Sequence, residues 1–176
     1  MIFQETEPKG ACVVGLERRE DDRGFFARSW CRREFEAHGL NPRIAQCDVS
    51  FTARKGTLRG MHFQVKPFEE AKLVRCTMGS LCDVIVDLRR DSPTFKRHLS
   101  VVLTAENRTM LYVPEGFAHG FLTLEDNTEV HYQISEFHAP DHARGFRWND
   151  PAFGIAWPAD VKVISERDRN YPDFNV

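Results

Sequence analysis

The sequence lacks the long apolar run, of about 18 residues, that a bilayer-crossing helix requires, so no membrane role is expected. It also lacks any CxxC pair. Its five cysteines, at positions 12, 31, 47, 76 and 82, form an odd set without the spacing of a disulfide framework or a thiolate zinc site. They are read as reduced, mostly buried small hydrophobes. No surplus of basic charge is present: 24 Lys and Arg are interspersed with 26 Asp and Glu, for a formal net charge of −2. That balance excludes the basic footprint of a nucleic-acid binder, so an anionic ligand must be met by a few placed cations. The opening MIFQETEPKGACVV has two early glutamates and no basic stretch leading into an apolar core. It does not read as a signal peptide, and a cytoplasmic protein is expected. Low-complexity segments, linkers and solenoid-length repeats are missing as well.

What is present suits one domain over residues 1–176, long enough to bury roughly 70% of the surface of its unfolded chain. Short apolar or alternating runs recur along it: ACVVGLE, GFFARSW, RIAQCDVSF, TLRGMHFQ, KLVRCT, LCDVIVDLR, LSVVL, TMLYVP, AHGFLTL and EVHYQIS. Turn-forming clusters such as EDDRG, TMGS, RRDSPT, TAENR, PEG and LEDNT separate many of them. That rhythm predicts an all-β antiparallel sandwich or barrel. In CDVIVDL, Cys82, Val84, Val86 and Leu88 share one face and Asp83, Ile85 and Asp87 the other, a period of two. Short helices are predicted at Cys31 to His38 and near Ser165. After Pro140 the chain turns irregular and rich in Trp, Pro and Asp, and reads as a cap over about 140–176, with Trp148 and Trp157 as packing anchors. The phenylalanines are read as core. The run ERREDDR reads as a solvated turn.

GTLRGMHFQ places a histidine, His62, inside a strand pattern, where it can be a metal ligand, a base or a satisfied buried group. Cupin barrels hold metals on the patterns G-x5-H-x-H-x(3,4)-E and P-x-G-x2-H. Gly56, His62 and Glu69 match the first, but Gln64 replaces its second histidine, while Pro114, Gly116 and His119 match the second. Glutamine oxygen is a poor ligand for the softer metals, so a metal-binding oxygenase is the weaker reading. Arg59, His62, Gln64, Lys72, His119 and Tyr132 together are too many polar groups for a plain barrel interior, which points to a polar ligand. A neutral His removes a proton, a carboxylate fixes its tautomer, a Lys steadies an oxyanion and a Tyr returns a proton. The set describes proton abstraction beside a carbonyl. A placed base contributes roughly 10²- to 10⁴-fold and an oxyanion donor about 3 to 4 kcal/mol, so a carbon acid needs both.

Over nearly its full length the chain resembles the dTDP-4-dehydrorhamnose 3,5-epimerases of the cupin superfamily. The resemblance rests on DDRGFF, QCDVSF, GTLRGMHFQ, AKLVR, DVIVDLRRDSPTF, LYVPEGFAHGFLTL, EVHYQIS, WNDPAFGIAW and ISERD. It implies a cupin-type jelly roll with short peripheral helices and a homodimer with exchanged strands. It also implies epimerisation at C3 and C5 of a nucleotide-linked 4-keto-6-deoxyhexose, without metal or cofactor. By the same resemblance His62 is the base, Asp168 its orienting carboxylate, Lys72 the holder of the C4 enolate oxygen and Tyr132 the acid. Arg59, Gln64 and His119 line the sugar and diphosphate pocket, and Arg23 and Phe26 contact the nucleotide from the partner subunit, with Gln46 adding a polar contact. Three positions depart from the family's usual pattern: Arg28 stands for Glu, Asp48 for Asn and His138 for Tyr. They exchange donors and acceptors where the family handles the nucleotide, so a CDP- or GDP-linked sugar, or inversion at one centre only, is the alternative.

Overall fold

A computed structural model describes residues 1–175 of the chain. In chain order the strands are β1 (Ile2–Glu5), β2 (Cys12–Gly15), β3 (Arg19–Asp21), β4 (Gly24–Phe26), β5 (Gln46–Thr52), β6 (Thr57–Gln64) and β7 (Lys72–Met78). They continue as β8 (Ser80–Asp87), β9 (His98–Thr104), β10 (Met110–Val113), β11 (Phe117–Thr123), β12 (Thr128–Ile134), β13 (Ala143–Gly145) and β14 (Val163–Ile164). Two short helices, α1 (Arg32–Ala37) and α2 (Glu166–Arg169), lie outside the sheets. One sheet runs β1-β2-β10-β7-β12-β5, and the facing one runs β13-β6-β11-β8-β9 with β14 added in parallel to β6. Apart from β14 every named pairing in the two sheets is antiparallel, and the architecture is an all-β jelly roll of the cupin type.

Period-two alternation builds the interior. On β8, Leu81, Asp83, Ile85 and Asp87 share the face turned into the barrel, and Cys82, Val84 and Val86 turn outward. Every residue of β8 is nonetheless buried, because the C-terminal segment covers the outer face. Phe146 and Phe153 pack there on Met61, Val84, Val86 and Ala118, and the Trp157 indole donates to the Trp148 carbonyl at 3.1 Å. Between the sheets Val74, Leu81, Ile85, Leu111, Phe121 and Val130 form an apolar core. A fully buried aliphatic or aromatic side chain of this kind stabilises the fold by about 1.5 to 3 kcal/mol. A third cluster seats Phe35 of α1 on Cys12, Val14, Leu73 and Tyr112, on the outside of the first sheet.

Both predicted helices form. Cys31 and His38 flank α1, and the Ser165 hydroxyl caps α2 by accepting from the Asp168 N–H. The phenylalanines are not uniformly core: Phe26 is 74% exposed, and Phe51 and Phe137 stand more than half open to solvent. They lie on a projecting hairpin, on the edge strand β5 and on the loop after β12, where no second layer covers them. Among the described residues no helix is long and apolar enough to cross a membrane.

Candidate active site

The barrel interior is apolar where β7, β8, β9 and β10 face one another and polar toward β5, β12, β6 and β13. A cavity of about 730 Å³ opens at the polar end. It is of the size that takes a small-molecule ligand. On β6 both Arg59 and His62 face inward, although a regular strand would put residues three apart on opposite sides. The register explains this. His119 pairs with His62 but Phe121 pairs with Arg59, so β6 carries one extra residue, a bulge, between them. Gly60 occupies the bulge at φ +138°, and a Cβ there would lie 2.6 Å from the Gly120 Cα.

His62 Nε2 lies 2.7 Å from Asp168 Oδ1, and the Gly60 N–H donates to the other carboxylate oxygen at 3.3 Å. Asp168 is almost fully buried, while the His62 side chain stays 32% exposed. Burial pushes the Asp168 carboxyl up, but the hydrogen bond and charge of His62 and the Gly60 N–H outweigh it and hold the group below the usual carboxylate range. An ionised carboxylate only accepts hydrogen bonds, so Nε2 carries the hydrogen and Nδ1 keeps the lone pair. The dyad therefore offers a base.

A second pair lies beside it, with His119 Nε2 2.7 Å from Asp83 Oδ1, both side chains buried. Facing these from the other sheet is Tyr132, its ring edge-on to His119 at 6.1 Å between centroids. Burial pushes the Tyr132 phenol well above its usual range, and the charges of Asp83 and Asp48 add to this while Arg59 opposes it. The hydroxyl therefore keeps its proton. Lys72, at the start of β7, points its ammonium into the same cavity and pairs with Glu70 at 2.8 Å.

The fold thus brings together His62, Asp168, Lys72, Tyr132, Arg59, His119, Gln64, Gln46, Asp48 and His138 around one cavity. Arg59 is tied to the Thr52 hydroxyl and the Phe51 carbonyl. Gln64 spends its amide on backbone: it donates to Phe68 and Phe137 carbonyls and accepts from the Ala139 N–H. It holds a loop in place. Gln46 donates to Asp48 at 2.8 Å and accepts from the His138 N–H at 3.0 Å, linking two of the departing positions. Arg23, Phe26 and Arg28 do not reach their own chain's cavity. Arg23 pairs with Asp21 in the β3–β4 hairpin, and Arg28 donates to Glu34 at 2.6 Å. The same Glu34 takes the Met1 ammonium, and the two partners hold its carboxyl down to about 2.

Three residues of the site escape the sequence reading: Glu70 and Tyr171, which line the cavity, and Asp83, buried behind His119. Asp83 was assigned its strand face but no role, although that face is the inner one. Glu70 precedes Lys72 by two in extended chain, so the two share a side. Tyr171, 6.0 Å from the His62 ring, follows α2 in irregular chain and leaves no pattern to read. Of the cupin metal pattern, Glu69 is not among the cavity's lining residues and Gln64 is engaged elsewhere. Among the described residues no three His, Cys, Asp or Glu side chains gather as a metal site.

The sequence and the fold have counterparts among known proteins. The family model for dTDP-4-dehydrorhamnose 3,5-epimerase matches residues 5–175. The dTDP-4-dehydrorhamnose 3,5-epimerase of Sinorhizobium fredii is 40% identical over 99% of this chain and 90% of its own length. A crystal structure of the Bacillus anthracis enzyme of that name, with TDP and PPi bound, superposes with a TM-score of 0.94 at 41% identity, covering 98% of this chain and 99% of that one. A 3'-monoepimerase from Streptomyces bikiniensis in complex with dTDP-quinovose superposes with a TM-score of 0.87 at 34% identity, over 96% and 86% of the two chains. With its sequence matched almost from end to end and its jelly roll superposed, this chain belongs to the dTDP-4-dehydrorhamnose 3,5-epimerase family, isomerases acting on a sugar nucleotide.

Proposed function

We propose that this protein inverts C5 and C3 of dTDP-4-dehydro-6-deoxy-D-glucose to give dTDP-4-dehydro-L-rhamnose. The observation that carries the reading is the opposition of His62 and Tyr132: a carboxylate-oriented imidazole on one sheet and a buried, protonated phenol on the other, across one cavity. Inversion needs that opposition, because the proton must leave one face of the carbon and return to the other. His62 Nδ1 takes the proton from C5, and the C–H electron pair moves into the ring as an enolate whose charge rests on the C4 oxygen. Lys72 donates to that oxygen, and Asp168 steadies the imidazolium that His62 becomes. Tyr132 then gives its proton to the opposite face of C5. Removal at C3 uses the same base and the same enolate oxygen once His62 has lost its proton to solvent and Tyr132 has regained one, and C3 is then reprotonated on its opposite face.

Arg59 and His119 are assigned to the sugar and diphosphate, since a guanidinium fork matches phosphate oxygens, and Gln64 shapes the wall by fixing its loop. Gln46, Asp48 and His138 are assigned to the nucleotide end. Arg23, Phe26 and Arg28 sit away from their own cavity, and we assign Arg23 and Phe26 to the cavity of a second copy in a homodimer with exchanged strands. The exposed ring of Phe26 and the apolar outer face of the edge strand β5 support that reading. The chain then acts as one catalytic domain in a cytoplasmic dimer.

The likeness to a 3'-monoepimerase favours a second reading, inversion at one carbon only. Proton NMR in D2O with dTDP-4-dehydro-6-deoxy-D-glucose separates them. Deuterium at both C3 and C5 of a product inverted at both carbons establishes the double epimerase; label with inversion at one carbon establishes the single-centre enzyme. Label at neither, with folded protein, removes both readings for this nucleotide and directs the assay to CDP- and GDP-linked keto sugars.

A further inference from the structure

We propose that Glu70 is a positioning residue for Lys72, holding the ammonium aimed into the cavity before substrate arrives; the inference rests on the epimerase reading of this site. Glu70 Oε1 lies 2.8 Å from Lys72 Nζ, and both side chains are nearly withdrawn from solvent at 12% and 13% exposure. Both line the cavity. A lysine side chain is a flexible four-carbon stem carrying a compact charge, and left alone in such a place it would have to be ordered at each turnover. A carboxylate at hydrogen-bond distance orders it in advance and offsets the penalty of withdrawing the charge from water.

The carboxylate is itself held by rigid chain. Ala71, between the two residues, is buried, and its N–H donates to the Ser135 hydroxyl at 2.8 Å. The Ser135 N–H returns a bond to the Ala71 carbonyl at 2.9 Å. Ser135 directly follows Ile134, the last residue of β12, so this double link ties the Glu70–Lys72 segment to the strand that carries Tyr132. Enolate holder and acid are thereby fixed relative to each other. Among the described residues Glu70 has no polar partner besides Lys72, so the carboxylate has no separate duty in the fold. An ammonium has three N–H donors. The ion pair with Glu70 holds the ammonium in place and leaves donors for the oxygen on which charge develops.

The test is a double-mutant cycle on deuterium exchange at C5, using Glu70→Ala, Glu70→Gln, Lys72→Met and Glu70→Ala combined with Lys72→Met. Misplacing a catalytic group by about 1 Å can cost 10²-fold, so Glu70→Ala is expected to lower kcat by roughly 10- to 100-fold with KM within about twofold. Glu70→Gln, whose amide oxygen still accepts from the ammonium, is expected to recover part of the loss. In the Lys72→Met background, Glu70→Ala is expected to add nothing. Thermal unfolding of each variant checks the fold, and Glu70→Gln carries the test if Glu70→Ala does not fold. Wild-type rates in both Glu70 variants beside a crippled Lys72→Met overturn the inference and leave the epimerase reading intact. An equal further loss in the Lys72→Met background overturns it too, since Glu70 then acts apart from Lys72. Absence of exchange in the wild type overturns the reading and the inference together.

Discussion

His62 and His119 are direct partners across β6 and β11, and each meets a buried aspartate through Nε2 at 2.7 Å. The two pairs are unequal. The His62 side chain is 32% exposed and His119 only 7%, so one imidazole is open to the cavity and the other is sealed. Asp83, the partner of His119, also keeps one buried oxygen without a hydrogen bond among the described residues. Burial is the main reason that Tyr132, across the barrel, holds its phenol proton, and the nearby Asp83 adds to it. In the proposed mechanism the sealed pair conditions the acid and the open pair supplies the base.

Asp168→Asn tests the open pair in two ways. Losing the carboxylate that fixes the His62 tautomer should lower kcat by about 10²-fold. Stability should respond to pH with a definite sign. The Asp168 carboxyl lies below its ordinary value of 3.8, so its contribution is fully present above that value and is lost as pH falls through the folded-state value. The melting temperature of the variant should trail the wild type by a steady margin between about pH 5 and 8, and the margin should close below about pH 4. A margin that widens toward acid would mean that the carboxyl is not depressed.

Tyr132→Phe keeps the ring and removes the proton donor. Deuterium should still enter C5 through His62, with the label returned to the face it left. Formation of inverted product should fall by about 10²-fold. Equal loss of exchange and inversion would assign Tyr132 to substrate positioning instead.

Ten strands and both helices were legible because alternation, turn residues and caps act locally. Four strands were left unread. β1 and β3 pair with their sequence neighbours β2 and β4 but carry little apolar alternation, β3 lying in the exposed charged run that reads as a solvated turn, while β13 and β14 exist because the C-terminal segment lays itself along β6. The site was legible by residue type more than by spacing. Arg59 and His62, three apart, share a face only through the bulge, which a lone strand glycine signals weakly. Asp168 is 106 residues from His62, and no local pattern links them; the resemblance alone assigned it. The reading of all phenylalanines as core failed where an edge strand and a hairpin have no covering layer.

Gly60→Ala tests the bulge. The new Cβ would lie 2.6 Å from the Gly120 Cα, a backbone atom that cannot swing aside, at a φ of +138° that side chains rarely adopt. Overpacking and backbone strain together should destabilise by about 3 kcal/mol, read as a lower urea midpoint. Gly154→Ala is the control. It also has positive φ, +59°, but nothing lies within 4 Å of its Cβ, so only about 1 kcal/mol should be lost. Similar losses at both sites would mean that β6 and β11 do not approach closely at Gly60.

Phe51→Lys combined with Val49→Lys tests the proposed dimer. Both residues lie on β5, the edge strand of its sheet, and are 52% and 61% exposed; Val49 also borders the cavity and Phe51 does not, so Phe51→Lys alone is the control for a direct effect on KM. An edge strand with an apolar face is a template for another chain, and a lysine on such an edge is the usual means of blocking it. Light scattering should show the wild type as a dimer and the variant as a monomer. If Arg23 and Phe26 serve the neighbouring cavity, the monomer should also lose nucleotide contacts and show a KM raised by roughly tenfold, the change expected when about 1.4 kcal/mol of binding is lost. His62, Lys72, Tyr132 and Asp168 all come from one chain, so kcat should fall less than KM rises. A monomer with unchanged KM would take the hairpin out of the site and leave it a surface feature; a persistent dimer would move the interface away from β5.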